Sequence, residues 1–300
     1  MKKIECLVIG STKIAKIHIR ELIRNNINRI SLVSRKKSKS KDFANELSKE
    51  FKLKFKNFNH TILKSKKFDL ISICSNTKYH INNLTNIPKY NKKILIEKPI
   101  FHLNRKTNIF NVLDKIYKKH KNIFVSYPMY YFAKSFVNKF KFKEKKIKSI
   151  KIYYQTKGKH QSRDIFLDLA PHAFAFILAI CREKNFKKFI LDKLKLSKKK
   201  VKIIGKINNT NFDIIFIEDI NKKKSVFKFS VNDINVKRIT KIEKNKFINY
   251  LQLKNKVLPI QNPMKQVVRN FAKNQNSNSF KKNKELTYLI TEITKKIYDK

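Results

Sequence analysis

Three side chains have the types and the setting that acid–base chemistry on a hydroxyl or carbonyl group requires. Asp168 and His172 are four residues apart in the very apolar stretch 164–180, so a helix there places both on one face. Lys98 follows the strand-like run ILIE (94–97). An imidazole is a base of near-neutral pKa, a carboxylate orients it, and a cation stabilises developing alkoxide charge. Taken singly, each also fits a structural role, such as a core histidine whose hydrogen bonds are satisfied.

The first apolar run, KIECLVIG (3–10), ends in a turn that a helical pattern follows. The turn and the start of that helix comprise Gly10, Ser11, Thr12, Lys13, Ile14 and Ala15. In the nucleotide-binding pattern G-x-G-x-x-G/A, Gly10 supplies the tight turn, and Thr12 replaces the glycine that lets the backbone approach a pyrophosphate. The Thr12 hydroxyl is expected to donate a hydrogen bond to phosphate, and the helix N-terminus offers further N–H groups. A plain strand-to-helix connection is the alternative.

The end of the second strand-like run (29–35) bears on the choice of cofactor. A fold that binds NAD usually carries an acidic residue there for the ribose diol. This chain has Ser34 and Arg35 instead, followed by two lysines. These residues suit a ribose 2′-phosphate and favour NADP over NAD. The alternative is that they form a basic surface turn with no role in cofactor binding. Arg35 carries more weight than the lysines, because only 9 of the 72 basic residues are arginine.

The net charge of +51 first suggests a nucleic-acid partner. However, the basic residues are spread along all 300 positions, and no helix-turn-helix, RNP or zinc pattern accompanies them. We therefore expect a solvated lysine coat and no specific nucleic-acid partner. Weak, sequence-blind anion binding at low salt still follows from the charge.

Cysteine spacing and hydropathy exclude several further classes of protein. Cys6, Cys74 and Cys181 are an odd number, far apart and without a CxxC pair, so neither a disulfide framework nor a metal site is predicted. No run of eighteen apolar residues occurs, and the apolar stretch at the start is too short and too β-branched for a signal peptide. We expect a cytoplasmic protein without a membrane segment.

The elements that must position these residues form two different patterns. Strand-like runs alternate with helical ones over the first 130 residues, which predicts a doubly wound parallel sheet of the Rossmann type. After residue 146 a strand and the buried helix 164–180 precede several long alternating strands, which predicts an α+β domain with a mostly antiparallel sheet. The predicted boundaries are 1–128 and 129–300. Two closing helices over about 262–298 are split by the polar loop NSNSFKKN (276–283).

The order of these motifs resembles the glucose–fructose oxidoreductase/inositol dehydrogenase (Gfo/Idh/MocA) family of NAD(P)-dependent oxidoreductases. A degenerate glycine loop, SR after strand two, CSNTKYH after the central strand, EKP and DxxxH follow one another as they do in that family. The resemblance implies hydride transfer to or from a sugar, a cyclitol or a nucleotide-sugar-like compound. It implies NADP, or alternatively NAD, as cofactor, and pairing of two copies through the open face of the second sheet.

The resemblance also implies roles for individual residues. Lys98 would hold the substrate oxygen beside the nicotinamide, His172 would take or return the hydroxyl proton, and Asp168 would orient that imidazole or bind a neighbouring hydroxyl. The implied cofactor-binding residues are Gly10, Ser11, Thr12, Lys13, Ile14, Ser34, Arg35, Ser75, Asn76, Thr77, His80, Glu97 and Lys98. His80 is equally compatible with a structural role.

Two departures keep a second reading open. The family often has an Asn and an Arg in a pattern like YNxRF, whereas this chain has YPMYY at 127–131. The glycine between the Asp and the His of the family's motif is Ala170. A non-catalytic descendant that keeps the fold and acts in binding or regulation is therefore the alternative.

Overall fold

The computed structural model describes residues 4–103, 108–140, 147–182, 186–222, 224–243, 246–273 and 277–300. The chain forms two compact units. The first comprises Met1–Ser126 and Met264–Tyr288, and the second comprises Tyr127–Pro263 and Leu289–Lys300. Among the described residues, no helix combines the length and the apolar character that crossing a membrane requires.

The strands and helices follow one another in both units. The strands are β1 (Glu5–Ile9), β2 (Arg29–Val33), β3 (Lys56–Phe58), β4 (Leu70–Ile73), β5 (Lys93–Glu97), β6 (Ile123–Ser126), β7 (Ser149–Thr156), β8 (Phe189–Leu196), β9 (Lys200–Ile207), β10 (Thr210–Glu218), β11 (Val226–Val231), β12 (Ile234–Glu243), β13 (Lys246–Leu253) and β14 (Lys256–Ile260). The helices are α1 (Lys13–Ile23), α2 (Lys37–Phe51), α3 (Ile62–Ser65), α4 (His80–Asn86), α5 (Ile109–Lys119), α6 (Pro128–Phe140), α7 (Arg163–Ile180), α8 (Pro263–Lys273) and α9 (Ser277–Tyr298).

The first unit is built on a parallel sheet in the order β3-β2-β1-β4-β5-β6. Each neighbouring pair is parallel, and this strand order is that of the Rossmann fold. The strands read as continuous apolar runs because helices cover both faces, and β4 and β6 are buried along their whole length. The predicted doubly wound parallel sheet is confirmed.

The helices of this unit pack through apolar stripes. In α5, Ile109, Leu113, Ile116 and Tyr117 are buried at helical spacing while lysines face outward. The sequence pattern predicts this helix from residue 104, but residues 104–107 lie outside the described part of the chain. The described helix begins after Asn108, whose side chain caps it by accepting a hydrogen bond from the backbone N–H of Asn111.

The tail of the chain differs from the sequence-based expectation in two respects. The predicted polar loop 276–283 is helical from Ser277 onward. Moreover, Met264–Tyr288 belongs to the first unit, although the predicted boundary assigns everything after residue 128 to the second. A buried amide contributes to this packing: Asn283 accepts from the backbone N–H of Val125 at 2.7 Å and donates to its carbonyl at 3.0 Å, at the edge of the sheet.

The second unit contains an eight-stranded sheet in the order β14-β13-β12-β11-β7-β10-β9-β8. Every neighbouring pair is antiparallel except β7 with β10, so the predicted mostly antiparallel sheet is confirmed. The apolar helix α7 and helix α6 pack together, with Phe132 and Phe176 against Phe227 and Phe229 of β11. Sequence patterns did not predict the short or exposed elements β3, β8, β14 and α3, or helix α6.

Candidate active site

The turn after β1 is pressed against the end of β4. Gly10 has φ +116°, and a Cβ built on it would lie 2.9 Å from both the carbonyl carbon and the oxygen of Cys74. Its N–H donates to the carbonyl of Val33 at 2.8 Å, which fixes the turn to the end of β2. The chain has only three glycines. This one stands where both the backbone angle and the close approach exclude a side chain.

Thr12 closes the turn and starts α1. Its hydroxyl accepts from the N–H of Ala15 at 3.2 Å and donates to the carbonyl of Cys74 at 3.0 Å. The hydroxyl proton that we expected to serve a phosphate is therefore committed to the protein. An anion at this turn would instead meet the backbone N–H groups of the first helical turn, at residues such as Lys13 and Ile14.

The end of β2 contributes an arginine held on an aromatic ring. The guanidinium carbon of Arg35 lies 4.0 Å from the ring centroid of Tyr79, and the ammonium nitrogen of Lys78 lies 5.1 Å from the same centroid. Arg35 remains exposed. Ser34 donates its hydroxyl to the carbonyl of Lys36 at 2.7 Å, so this proton is committed to the local turn. Sequence reasoning missed Tyr79, although it lies in the quoted stretch CSNTKYH.

The segment after β4 is braced by a buried histidine. His80 is 1% exposed, and its two ring nitrogens lie 2.8 Å from the carbonyl oxygen of Ser75 and 2.9 Å from that of Pro99. Burial lowers the pKa of His80, and the two carbonyl oxygens oppose that shift. The ring holds the Ser75 turn against the segment that follows Lys98. These contacts give His80 a structural role, and its assignment as a cofactor contact stays a prediction.

Ser75 and Asn76, which precede His80 in this segment, make other contacts. Asn76 caps the 3-10 turn Thr77–Tyr79 by accepting from the N–H of Lys78, and it is exposed. Ser75 accepts from the side-chain amide of Asn83 at 2.9 Å. Its backbone nitrogen lies 3.0 Å from the position of a Cβ on Gly10, so the structure brings the Ser75 turn and the glycine turn together.

Glu97 ends β5 in a buried polar network. Its Oε1 lies 2.7 Å from Nε2 of His18, whose Nδ1 lies 2.8 Å from the hydroxyl of Ser72. Burial alone would lower the pKa of His18, but Cys74 and the Glu97 carboxylate outweigh it and raise that pKa to about 10. Burial likewise opposes ionisation of Glu97, but the contact with His18 prevails and its pKa is lowered. The pair is therefore ionic at neutral pH.

His18 is a site residue that sequence reasoning missed. It is fully buried on the apolar face of α1. The only sequence signal was a single histidine in an apolar helical stripe. Such a histidine more often forms hydrogen bonds with nearby groups and has no role in a functional site. Its contact with Glu97 fixes the carboxylate directly before Lys98, and Lys98 itself is half-buried and joined to Pro99 by a cis peptide bond.

The remaining predicted residues lie in the second unit. Asp168 and His172 are half-buried on α7, whose other faces carry the apolar core of this unit. The imidazole of His172 faces the ring of Tyr154 on β7, with centroids 6.0 Å apart and planes at 60°. Asp168 also lies close to two further side chains, His160 and Glu218, with donor atoms within 4.8 Å of one another. Sequence reasoning anticipated neither Tyr154 nor this cluster.

Comparison with known protein families gives a match over the N-terminal part of the chain. Residues 4–127 match the model of an oxidoreductase family with an NAD-binding Rossmann fold, named Gfo/Idh/MocA. No curated protein sequence matches the chain.

Solved structures match nearly the whole chain. A dehydrogenase from Clostridium difficile is 13% identical, with 99% of each chain covered and a TM-score of 0.64. UDP-N-acetylglucosamine 3-dehydrogenase from Acidithiobacillus ferrooxidans is 11% identical, with 98% of this chain and 97% of that chain covered and a TM-score of 0.66. A 3-ketoreductase from Actinomadura kijaniata, solved in complex with TDP-benzene and NADP, is 12% identical, with 97% and 96% covered and a TM-score of 0.66. At these identities the likeness shows the shared fold.

Proposed function

We propose, from the premise that residues 4–127 belong to the Gfo/Idh/MocA oxidoreductase family, that this chain transfers hydride between a nicotinamide cofactor and a hydroxyl or carbonyl carbon. The observation that carries the proposal is the Gly10 turn. Its backbone passes so close to Cys74 that no side chain fits, and it leads directly into the N-terminus of α1. This is the cradle that a dinucleotide pyrophosphate needs at the carboxyl end of β1.

The residues present fit such a cofactor. The first N–H groups of α1 would hold the pyrophosphate. Arg35, stacked on Tyr79 at the end of β2, would meet a ribose 2′-phosphate, and the absence of an acidic residue at the end of β2 supports this assignment. We therefore favour NADP over NAD. The sugar-nucleotide substrate named for one similar structure and the TDP compound in another support a sugar-like substrate.

The chemistry assigned to this chain's own residues is acid–base and electrostatic. A bound nicotinamide supplies or accepts the hydride. His172 takes the proton of the substrate hydroxyl during oxidation and returns it during reduction. Asp168, one helical turn earlier, orients the imidazole. Lys98 holds the substrate oxygen and stabilises its developing negative charge, while the ion pair of Glu97 with His18 fixes the backbone before it.

The catalytic roles are tested by turnover of a panel of sugars, cyclitols and nucleotide sugars with NADP+ and NADPH. His172→Ala and Lys98→Met should each lower kcat by at least about a hundredfold, the scale of general acid–base catalysis. Lys118→Met, a change at an exposed lysine of α5, is the matched control and should leave turnover unchanged. Retained turnover in both site variants would contradict the roles. No turnover by the unaltered chain, with the cofactor bound, would favour a non-catalytic binding protein.

The cofactor preference has its own test. Arg35→Asp should lower the affinity for NADPH by at least about tenfold and leave that for NADH within about threefold, since only NADPH carries the 2′-phosphate. Lys118→Asp makes the same charge change elsewhere in this unit and should affect both cofactors weakly and equally. An equal loss for both cofactors in the two variants would mean that general charge attraction, and not recognition of the phosphate, had been measured.

We also propose that two copies pair through the outer face of the second sheet, as the family resemblance implies. Sedimentation velocity at physiological salt tests this. A dimer that Ile215→Glu converts to a monomer is expected, and a monomer at all concentrations contradicts the pairing.

A further inference from the structure

Within the second unit, three donor groups from separate elements converge. His160 lies in the loop between β7 and α7, Asp168 lies on α7, and Glu218 is the last residue of β10. One donor atom from each falls within 4.8 Å of the other two. Because metal–ligand bonds to imidazole and carboxylate are about 2.0–2.2 Å, donor atoms around one tetrahedral ion lie about 3.4 Å apart. The donor atoms here would therefore move together by up to about 1.4 Å when an ion binds.

The environment of Glu218 points to a ligand. Its side chain is 2% exposed, and its Oε1 receives the backbone N–H of His160 and faces Nδ1 of that ring, each at 2.9 Å. Its second oxygen, Oε2, is buried and has no hydrogen-bond partner among the described residues. A buried carboxylate oxygen without a partner is costly, so such an atom needs a proton or a cation.

The backbone is adapted to this carboxylate. Gly158 lies directly against it, and a Cβ at this position would overlap the carboxylate of Glu218. The chain holds glycine at only three of its 300 positions. Glycine at 158 therefore keeps a space that any other residue would fill, and the carboxylate occupies that space. His160 is 54% exposed on its side chain, which leaves an entry path and open positions for water.

We propose that His160, Asp168 and Glu218 bind a divalent first-row transition-metal ion. One imidazole and two carboxylates suit Zn²⁺ or Mn²⁺ better than Mg²⁺ or Ca²⁺, which prefer ligand sets made of oxygen alone. The ion gives Glu218 Oε2 its missing partner, replaces the ion pair of Glu218 with His160 and ties α7 to the end of β10. Since Asp168 precedes His172 by one helical turn, the ion fixes the segment of α7 that carries the candidate base.

Calorimetric titration of the EDTA-treated chain with Zn²⁺, at physiological salt, tests the site. We expect one ion per chain with a Kd of about 10 μM or tighter, and at least about tenfold weaker binding for His160→Ala and for Glu218→Gln, each of which removes a ligand. Gly158→Ala should weaken binding similarly, because the new methyl group displaces the carboxylate. His102→Ala removes an exposed histidine of the other unit and should bind as the unaltered chain does.

Two further measurements separate loss of the site from loss of the fold. Zn²⁺ should raise the Tm of the unaltered chain and of His102→Ala, but not that of His160→Ala, when each protein is compared with its own ion-free form. Co²⁺ should give visible d–d absorption that Glu218→Gln abolishes. Absence of stoichiometric Zn²⁺ binding, or binding that the site variants leave unchanged, would overturn the proposal. Neither readout depends on catalytic activity or on the nicotinamide cofactor.

Discussion

Replacing His18 tests the buried network most sharply. His18 is fully buried and its Nε2 lies 2.7 Å from a carboxylate that is only 12% exposed. His18→Leu leaves Glu97 buried without its charged partner, which should destabilise the first unit by about 3–5 kcal/mol. The double variant His18→Leu/Glu97→Leu should regain most of that loss, because an apolar pair of similar size replaces the ion pair without leaving a buried charge.

The pH dependence of this loss follows from the two pKa shifts. The pKa of His18 is raised to about 10 from an ordinary value of about 6.5. Its stabilising contribution is therefore complete below about pH 6.5 and is lost as the pH rises toward 10. The pKa of Glu97 is lowered, so its contribution is present above its ordinary value of about 4.3 and is lost at lower pH. The destabilisation caused by His18→Leu should therefore be larger near pH 5.5 than near pH 9.5.

Urea unfolding of both variants at these two pH values provides the measurement. Far-UV circular dichroism follows the transition, since the chain has no tryptophan. Hydrogen exchange in β1 and β4 peptides identifies the unit that opens. A loss that is the same at pH 5.5 and pH 9.5, or a loss that the double variant does not reverse, would refute the ionic account of this pair.

Two further substitutions probe the cofactor turn. Gly10→Ala should lower NADPH affinity at least about tenfold and destabilise the first unit by about 2 kcal/mol. The reason is that φ is +116° and the new Cβ would lie 2.9 Å from the Cys74 carbonyl. Unchanged values in both the NADPH titration and the unfolding curve would contradict this. Tyr79→Ala removes the ring under Arg35 and should weaken NADPH binding about three- to fivefold, the scale of an exposed cation–π contact. A loss of NADH affinity at least as large would show that the ring does not act through the 2′-phosphate site.

The sequence was sufficient for the features that local patterns encode. Continuous apolar runs such as ILIE identify strands buried on both faces, so the parallel sheet could be predicted. The spacing of Asp168 and His172 placed both on one helix face, as in the structure. The start of α9 was missed, because its first turns are polar and the buried Asn283 serves a strand far away in sequence.

Long-range contacts could not be predicted in this way. The contact of His18 with Glu97 joins residues 79 positions apart, and no local sequence pattern predicts it. The stack of Arg35 on Tyr79 is of the same kind. No local pattern shows that the Thr12 hydroxyl donates to the carbonyl of Cys74, which lies 62 residues later, directly after β4.

Fluorescence titration with NADPH and NADH tests the central claim that the first unit binds a nicotinamide dinucleotide. At physiological salt the Debye length is about 8 Å, so the diffuse attraction of a chain with net charge +51 is largely screened. We predict saturable binding of one NADPH per chain at about micromolar concentration, weakened by Gly10→Ala and retained by Lys118→Asp. Failure of the unaltered chain to bind either cofactor would contradict the account and leave a Rossmann domain that does not use its phosphate turn.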